Sequence, residues 1–135
     1  MLNVVLDTNI VLVSVSRYSP HHWVFQSLLE GKYILSVTTD ILSEYVEVLA
    51  EEMGTAVATK VMETLDHLPN VELVTKHFRW QLISIDADDN KFVDCAIANN
   101  VHFLVTEDKH FNVLKNIQFP KVHVITLAQF KKLLE

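Results

Sequence analysis

Leu2-Asn3-Val4-Val5-Leu6-Asp7-Thr8-Asn9 decides the fold: a short, nearly continuous apolar run that stops at a carboxylate. A strand with one wet face alternates apolar and polar residues, whereas a strand covered on both faces is apolar almost throughout. The second description fits this stretch. The pattern recurs at Tyr33 to Val37, Val71 to Val74, Phe103 to Thr106 and Val122 to Ile125, which read as four further strands. Between them the apolar residues recur at helical spacing. The spacing predicts helices over Asn9 to Ser16 and His21 to Glu30, the second with Gly31 as its C-cap. A third follows the N-cap oxygens of Thr38-Thr39-Asp40 and runs to about Glu52, with Ile41, Leu42, Tyr45, Val46 and Leu49 on one face. Gly54 separates it from a fourth, Thr55 to Leu68. Further helices are expected from Asp86 to Asn99, Lys109 to Leu114 and Ala128 to Leu134. Lys76 to Ser84 reads either as a short helix or as an irregular crossover. Strands alternating with helices make an α/β protein. The expectation is a three-layer α/β/α sandwich around a mainly parallel, Rossmann-like five-stranded sheet.

A chain of 135 residues suits one domain, residues 1–135, and its 50% hydrophobic and 21% charged content is that of a packed domain rather than a disordered one. No basic leader follows Met1 and no apolar run approaches the ~20 residues a membrane helix needs, so a soluble cytoplasmic protein is expected. The single cysteine, Cys95, agrees with a reducing compartment and reads as a small core residue. The net charge is −6, from 17 acids against 11 Lys and Arg. Simple non-specific nucleic-acid binders are basic, so any action on nucleic acid here must run through bound cations or a local basic patch.

The positions of the acids answer that objection. In open parallel sheets, ligands bind beyond the carboxyl ends of the strands, where strand order reverses. Asp7 ends the first strand and Asp108 lies just past the fourth. Glu44 lies one turn into the helix after the second strand, and Asp94 lies on the helix leading into the fourth, one turn after Asn90. Four carboxylates from four segments, Asp7, Glu44, Asp94 and Asp108, are expected to converge on one crevice. Like charges so close raise one another's pKa values unless a cation lies between them. Mg2+ or Mn2+ is the natural partner, because hard divalent ions prefer oxygen ligands.

Four segments, in order, resemble the motifs of the PIN-domain family. They are Val4-Val5-Leu6-Asp7-Thr8-Asn9-Ile10-Val11; Ser36 to Leu49 with Glu44; Asp86-Ala87-Asp88-Asp89-Asn90-Lys91-Phe92-Val93-Asp94; and Leu104-Val105-Thr106-Glu107-Asp108-Lys109-His110-Phe111. The third is similar to the branch of VapC-like toxins of toxin–antitoxin systems. The resemblance implies a PIN-like fold and a metal-dependent endoribonuclease that hydrolyses RNA to a 5′-phosphate and a 3′-hydroxyl. It implies Asp7, Glu44, Asp94 and Asp108 as catalytic metal ligands, with Thr8, Asn9, Thr106 and Asn90 orienting them. Asp89 is an additional candidate ligand. It also implies an RNA substrate, an antitoxin partner and a homodimer. The fourth motif departs from the family at Glu107 and His110, which leaves open whether Asp108 or Glu107 is the fourth acid.

Other readings attach to the same residues. Glu44 has Glu47 and Glu51 as neighbours on its helix, Asp108 could cap a short helix, and Asp86 and Asp88 read as a capping run. The seven histidines show no zinc spacing, and His21-His22 reads as a solvated pair. Trp23 and Trp80 either stack on bases or pack in the protein. A haloacid-dehalogenase-like phosphotransferase needs a second Asp where Asn9 stands, and a receiver domain needs an acidic pair after the first strand. The remaining alternative is a catalytically inactive PIN-like module that binds RNA or protein.

Overall fold

The computed structural model describes residues Met1–Glu135. Its five strands are β1 (Asn3–Leu6), β2 (Ile34–Val37), β3 (Val71–Leu73), β4 (Phe103–Val105) and β5 (Val124–Ile125). They form one sheet in the order β3-β2-β1-β4-β5, with every pairing parallel. The order reverses at β1, where Val4, Val5 and Leu6 pair with Phe103, Leu104 and Val105. The central strand is covered on both sides: Val4 and Val5 are fully buried and Leu6 is nearly so. This is why β1 reads as an unbroken apolar run.

Six α-helices accompany the strands: α1 (Thr8–Ser14), α2 (His22–Leu29), α3 (Thr39–Met53), α4 (Thr55–His67), α5 (Asn90–Ala98) and α6 (Leu127–Leu134). On one face Leu6 and Leu35 meet Val11, Val24, Leu28 and Leu65 from α1, α2 and α4. Phe130 of α6 joins that layer, tilted against Trp23 at 5.7 Å and edge-on to Tyr33 at 5.1 Å. α5 packs on β1 and β4, and its Phe92 faces Phe111 at 6.5 Å. The three layers share one buried core.

Local chemistry explains the boundaries. Thr38 caps α3 by accepting the Ile41 N–H, and Gly54 joins α3 to α4 at φ +95°, a conformation that L side chains rarely adopt. Asn100, at φ +46°, turns the chain out of α5.

Over Lys76 to Ser84 no helix forms, and of the two readings the sequence offered the irregular crossover is the one observed. Two other stretches differ from the sequence expectation. The single helix expected from Asp86 is divided, because the Asp86 carboxylate accepts the Asp88 N–H at 3.1 Å and holds a 3-10 turn, Ala87–Asp89, ahead of α5. The stretch after β4, Lys109–Asn116, is likewise 3-10.

Candidate functional site

The switch point between β1 and β4 carries Asp7. Its backbone N–H continues the sheet by donating to the Val105 carbonyl at 3.1 Å, and its side chain is nine-tenths buried. Thr106, the next residue after β4, donates its hydroxyl to Asp7 Oδ2 at 2.8 Å. The Asp108 N–H donates to the same hydroxyl oxygen at 3.0 Å. One threonine therefore fixes both acids at the strand ends. Asp108 also accepts the His110 N–H at 2.9 Å, which makes it the cap of the 3-10 stretch as well as a wall of the crevice.

Glu44, one turn into α3, is held on both oxygens. It accepts the Thr8 hydroxyl on one side and Lys91 Nζ at 2.7 Å on the other. Asp89, at the end of the 3-10 turn, completes the group. It is 9% exposed, and its Oδ2 has no hydrogen-bond partner. His110 Nδ1 is also buried without a partner, 3.7 Å from Asp89 Oδ2 and 3.6 Å from Asp108 Oδ1.

The electrostatics record the crowding. Burial raises the Asp7 carboxyl above its ordinary 3.8; the hydrogen bond from Thr106 opposes the rise, and the charges of Asp108 and Glu44 add to it. Burial pushes Asp89 up to about 6, with Asp86, Asp108 and Asp7 adding to the rise and His110 opposing it. Buried carboxylates that raise one another, around unpartnered oxygen and nitrogen atoms, are the donor set a divalent cation satisfies. Asp86, Asp89 and His110 each offer one ligand atom, and these atoms lie within 4.8 Å of one another. The residues fit a metal ion.

The expected residues do not all meet. Asp7, Glu44 and Asp108 lie together, and the charges of Glu44 and Asp108 both act on Asp7. Asp94 turns away from them. Its Oδ1 accepts the Trp80 N–H at 3.1 Å, and it opens onto a cleft of about 590 Å³ whose charged walls are Asp40, Lys76, Arg79, Asp88 and Lys91. Asn90, one turn earlier on the same face, accepts the Ile83 N–H at 2.9 Å and donates to the Ile83 carbonyl at 2.8 Å. These two side chains peg the irregular crossover to α5, so neither orients Asp7. The physical reason is angular: Asn90 and Asp94 are four residues apart and share a face, whereas Asp89 and Asp94 are five apart and diverge by roughly 140° around a helix axis.

Thr8 and Thr106 bond to acids as expected, to Glu44 and Asp7 respectively, while Asn9 is exposed and its side chain makes no hydrogen bond. Glu107 leaves the crevice altogether and accepts the Leu127 N–H at the start of α6, at 2.8 Å. Sequence spacing does not single out His110 or Asp86. For His110 the local signals are its departure from the fourth motif and its place two residues after Asp108, within the turn that Asp108 caps.

Comparison with known proteins bears on this arrangement. The model of the PIN domain family matches residues 3–110. Among solved structures, the chain is similar to VapBC2 from Rickettsia felis bound to a DNA fragment from its promoter, with a TM-score of 0.63, 15% identity, 93% of this chain covered and 98% of that one. It is also similar to DNA-bound VapBC from Salmonella typhimurium, with a TM-score of 0.59, 14% identity, 94% of this chain covered and 99% of that one. At these identities the likeness is one of fold. No curated protein matches in sequence. From the strand that presents Asp7 to the turn that presents His110, the matched span takes in the whole acidic crevice, and the chain belongs to the PIN domain family.

Proposed function

We propose that this protein is a divalent-cation-dependent endoribonuclease and the toxin of a toxin–antitoxin pair. The observation that carries the reading is the buried, unpartnered oxygen of Asp89 beside Asp7 and Asp108 at the sheet's switch point. A carboxylate left in that state is costly unless a cation joins it. Membership of a nuclease family supports the reaction class. The likeness in fold to two VapBC assemblies supports the toxin role and a small antitoxin as partner.

In this reading Asp7, Asp89 and Asp108 hold the ion, with Glu44 beside them. Bound Mg2+ or Mn2+ supplies charge neutralisation at the phosphate and a coordinated water of lowered pKa. Thr106 keeps Asp7 and Asp108 in register, and Thr8 does the same for Glu44. Lys91, paired with Glu44, supplies a cation beside the acids for a substrate phosphate. In this reading Asp94 serves by pegging the crossover through the Trp80 N–H and not as a ligand. The net charge of −6 is compatible with an RNA substrate because the acids gather the ion that gathers the phosphate.

Purified protein incubated with single-stranded RNA tests this. Cleavage should need Mn2+ or Mg2+, stop with EDTA, and fall by at least about a hundredfold in Asp7→Asn and Asp89→Asn with circular dichroism unchanged. RNA bound but not cut by the wild type under any divalent cation would favour an inactive binding module. Expression in a bacterial host should slow growth, and Asp7→Asn should relieve it.

A further inference from the structure

We propose that His110 is a nitrogen ligand of the metal centre, and that it makes the centre prefer a first-row transition ion of the Mn2+ class over Mg2+. The inference deepens the metal-dependent reading above and rests on it.

Three observations meet at this side chain. First, His110 Nδ1 and Asp89 Oδ2 are both buried without hydrogen-bond partners. Two such atoms facing each other make an ion pair only when His110 is protonated and otherwise stand without a hydrogen bond, which buried polar groups in native proteins avoid. Second, their separation is 3.7 Å, with 3.6 Å from the same nitrogen to Asp108 Oδ1. These spans are too long for hydrogen bonds. Ligands about 2.1 Å from a shared centre lie about 3.0 Å apart at octahedral and about 3.4 Å apart at tetrahedral angles, so an inward shift of a few tenths of an ångström in these side chains brings both donors onto one ion. Third, the backbone that carries the ring is anchored. The His110 backbone N–H donates to the Asp108 carboxylate, and the next residue, Phe111, is fully buried against Phe92 of α5. The side chain is 42% exposed, and that exposure lies away from Nδ1.

Ligand chemistry sets the consequence. A centre built of carboxylates alone suits Mg2+, which keeps its waters and tolerates only near-octahedral oxygen. An imidazole nitrogen suits transition ions and adds little for Mg2+. Asp86, at the opposite end of the 3-10 turn, has a carboxylate oxygen within 4.8 Å of the Asp89 and His110 donors and adds a further oxygen beside the ligands Asp7, Asp89 and Asp108. The acids supply the charge and the histidine supplies the choice of ion.

Pulsed electron paramagnetic resonance on Mn2+-loaded protein reads the nitrogen directly. The wild type should show 14N modulation of the electron spin echo, and His110→Ala should lack it while still binding Mn2+. Competition with Mg2+, followed by the free-Mn2+ signal, should show His110→Ala losing preference for Mn2+ by about tenfold or more. His110→Asp should shift preference toward Mg2+, which separates ligand chemistry from a simple packing defect. Wild-type protein that binds Mn2+ with no 14N modulation would overturn the role of His110 and leave the nuclease reading standing. So would a Mn2+/Mg2+ ratio unchanged in His110→Ala. Wild-type protein that binds no divalent cation would bring down both.

Discussion

The hydroxyl of Thr106 is the hinge of the crevice, because it donates to Asp7 and accepts from the Asp108 backbone. Thr106→Val keeps the volume and deletes both bonds. It should cost about 1–3 kcal/mol in urea denaturation, since buried partners are left unsatisfied. It should also lower activity or metal affinity by about 10–100-fold, because the substitution removes the group that orients a ligand. Asp89 makes a second prediction at this scale. Its carboxyl is raised from 3.8 to about 6, so between those values the native state binds more protons than the unfolded chain. Metal-free protein should therefore lose stability as pH rises from about 4 to about 6, by up to ~1.4 kcal/mol per pH unit, and level off above that. Asp7 and Asp94 are raised as well and act with the same sign. Urea melts in EDTA across that range should show the fall, and Asp89→Asn should flatten much of it. A fall as steep in Asp89→Asn as in the wild type would assign the effect to other groups.

The crossover between β3 and α5 depends on two side chains of α5, because it has no hydrogen-bond ladder of its own. Asn90 pairs with Ile83 on both backbone groups, and Asp94 takes the Trp80 N–H. The identity of the atom at position 94 then matters less than its ability to accept. Asp94→Asn keeps an oxygen acceptor and should retain activity within about tenfold, whereas Asp94→Ala frees the segment and should cost about 1–3 kcal/mol. Hydrogen exchange at the Trp80 and Ile83 amides should speed up in Asp94→Ala and stay slow in Asp94→Asn. Activity abolished in Asp94→Asn, with those amides still protected, would return Asp94 to the ligand set. The 3-10 stretch after β4 is fixed differently, by the buried Phe111 and Leu114 under an Asp108 cap, and this packing holds His110 in place.

Over the whole molecule, acids gathered at the carboxyl ends of the central strands link ion binding to folding. A ligand that binds only the native state at a hundred times its dissociation constant adds about 2.7 kcal/mol. For a chain of this length that raises the melting temperature by about 10 °C. Calorimetry with saturating Mn2+ should show the rise, EDTA should reverse it, and Asp89→Asn should shrink it; no shift in the wild type would count against a metal centre. The amino-acid sequence alone determined the parallel α/β architecture and where most elements begin and end. It also placed Asp7, Glu44 and Asp108 at strand ends or one turn beyond them. Apolar period, caps and chain-breaking glycines act over a few residues, so a reading of neighbours recovers them. Tertiary structure alone turned Asp94 to the Trp80 N–H, sent Glu107 to α6 and brought His110 to Asp89. Each residue along a helix turns its side chain by about 100°, so the facing residue depends on how the 3-10 turn and the pegged crossover seat α5 against the sheet. That seating is set by contacts between segments far apart in the chain, and local spacing does not encode it.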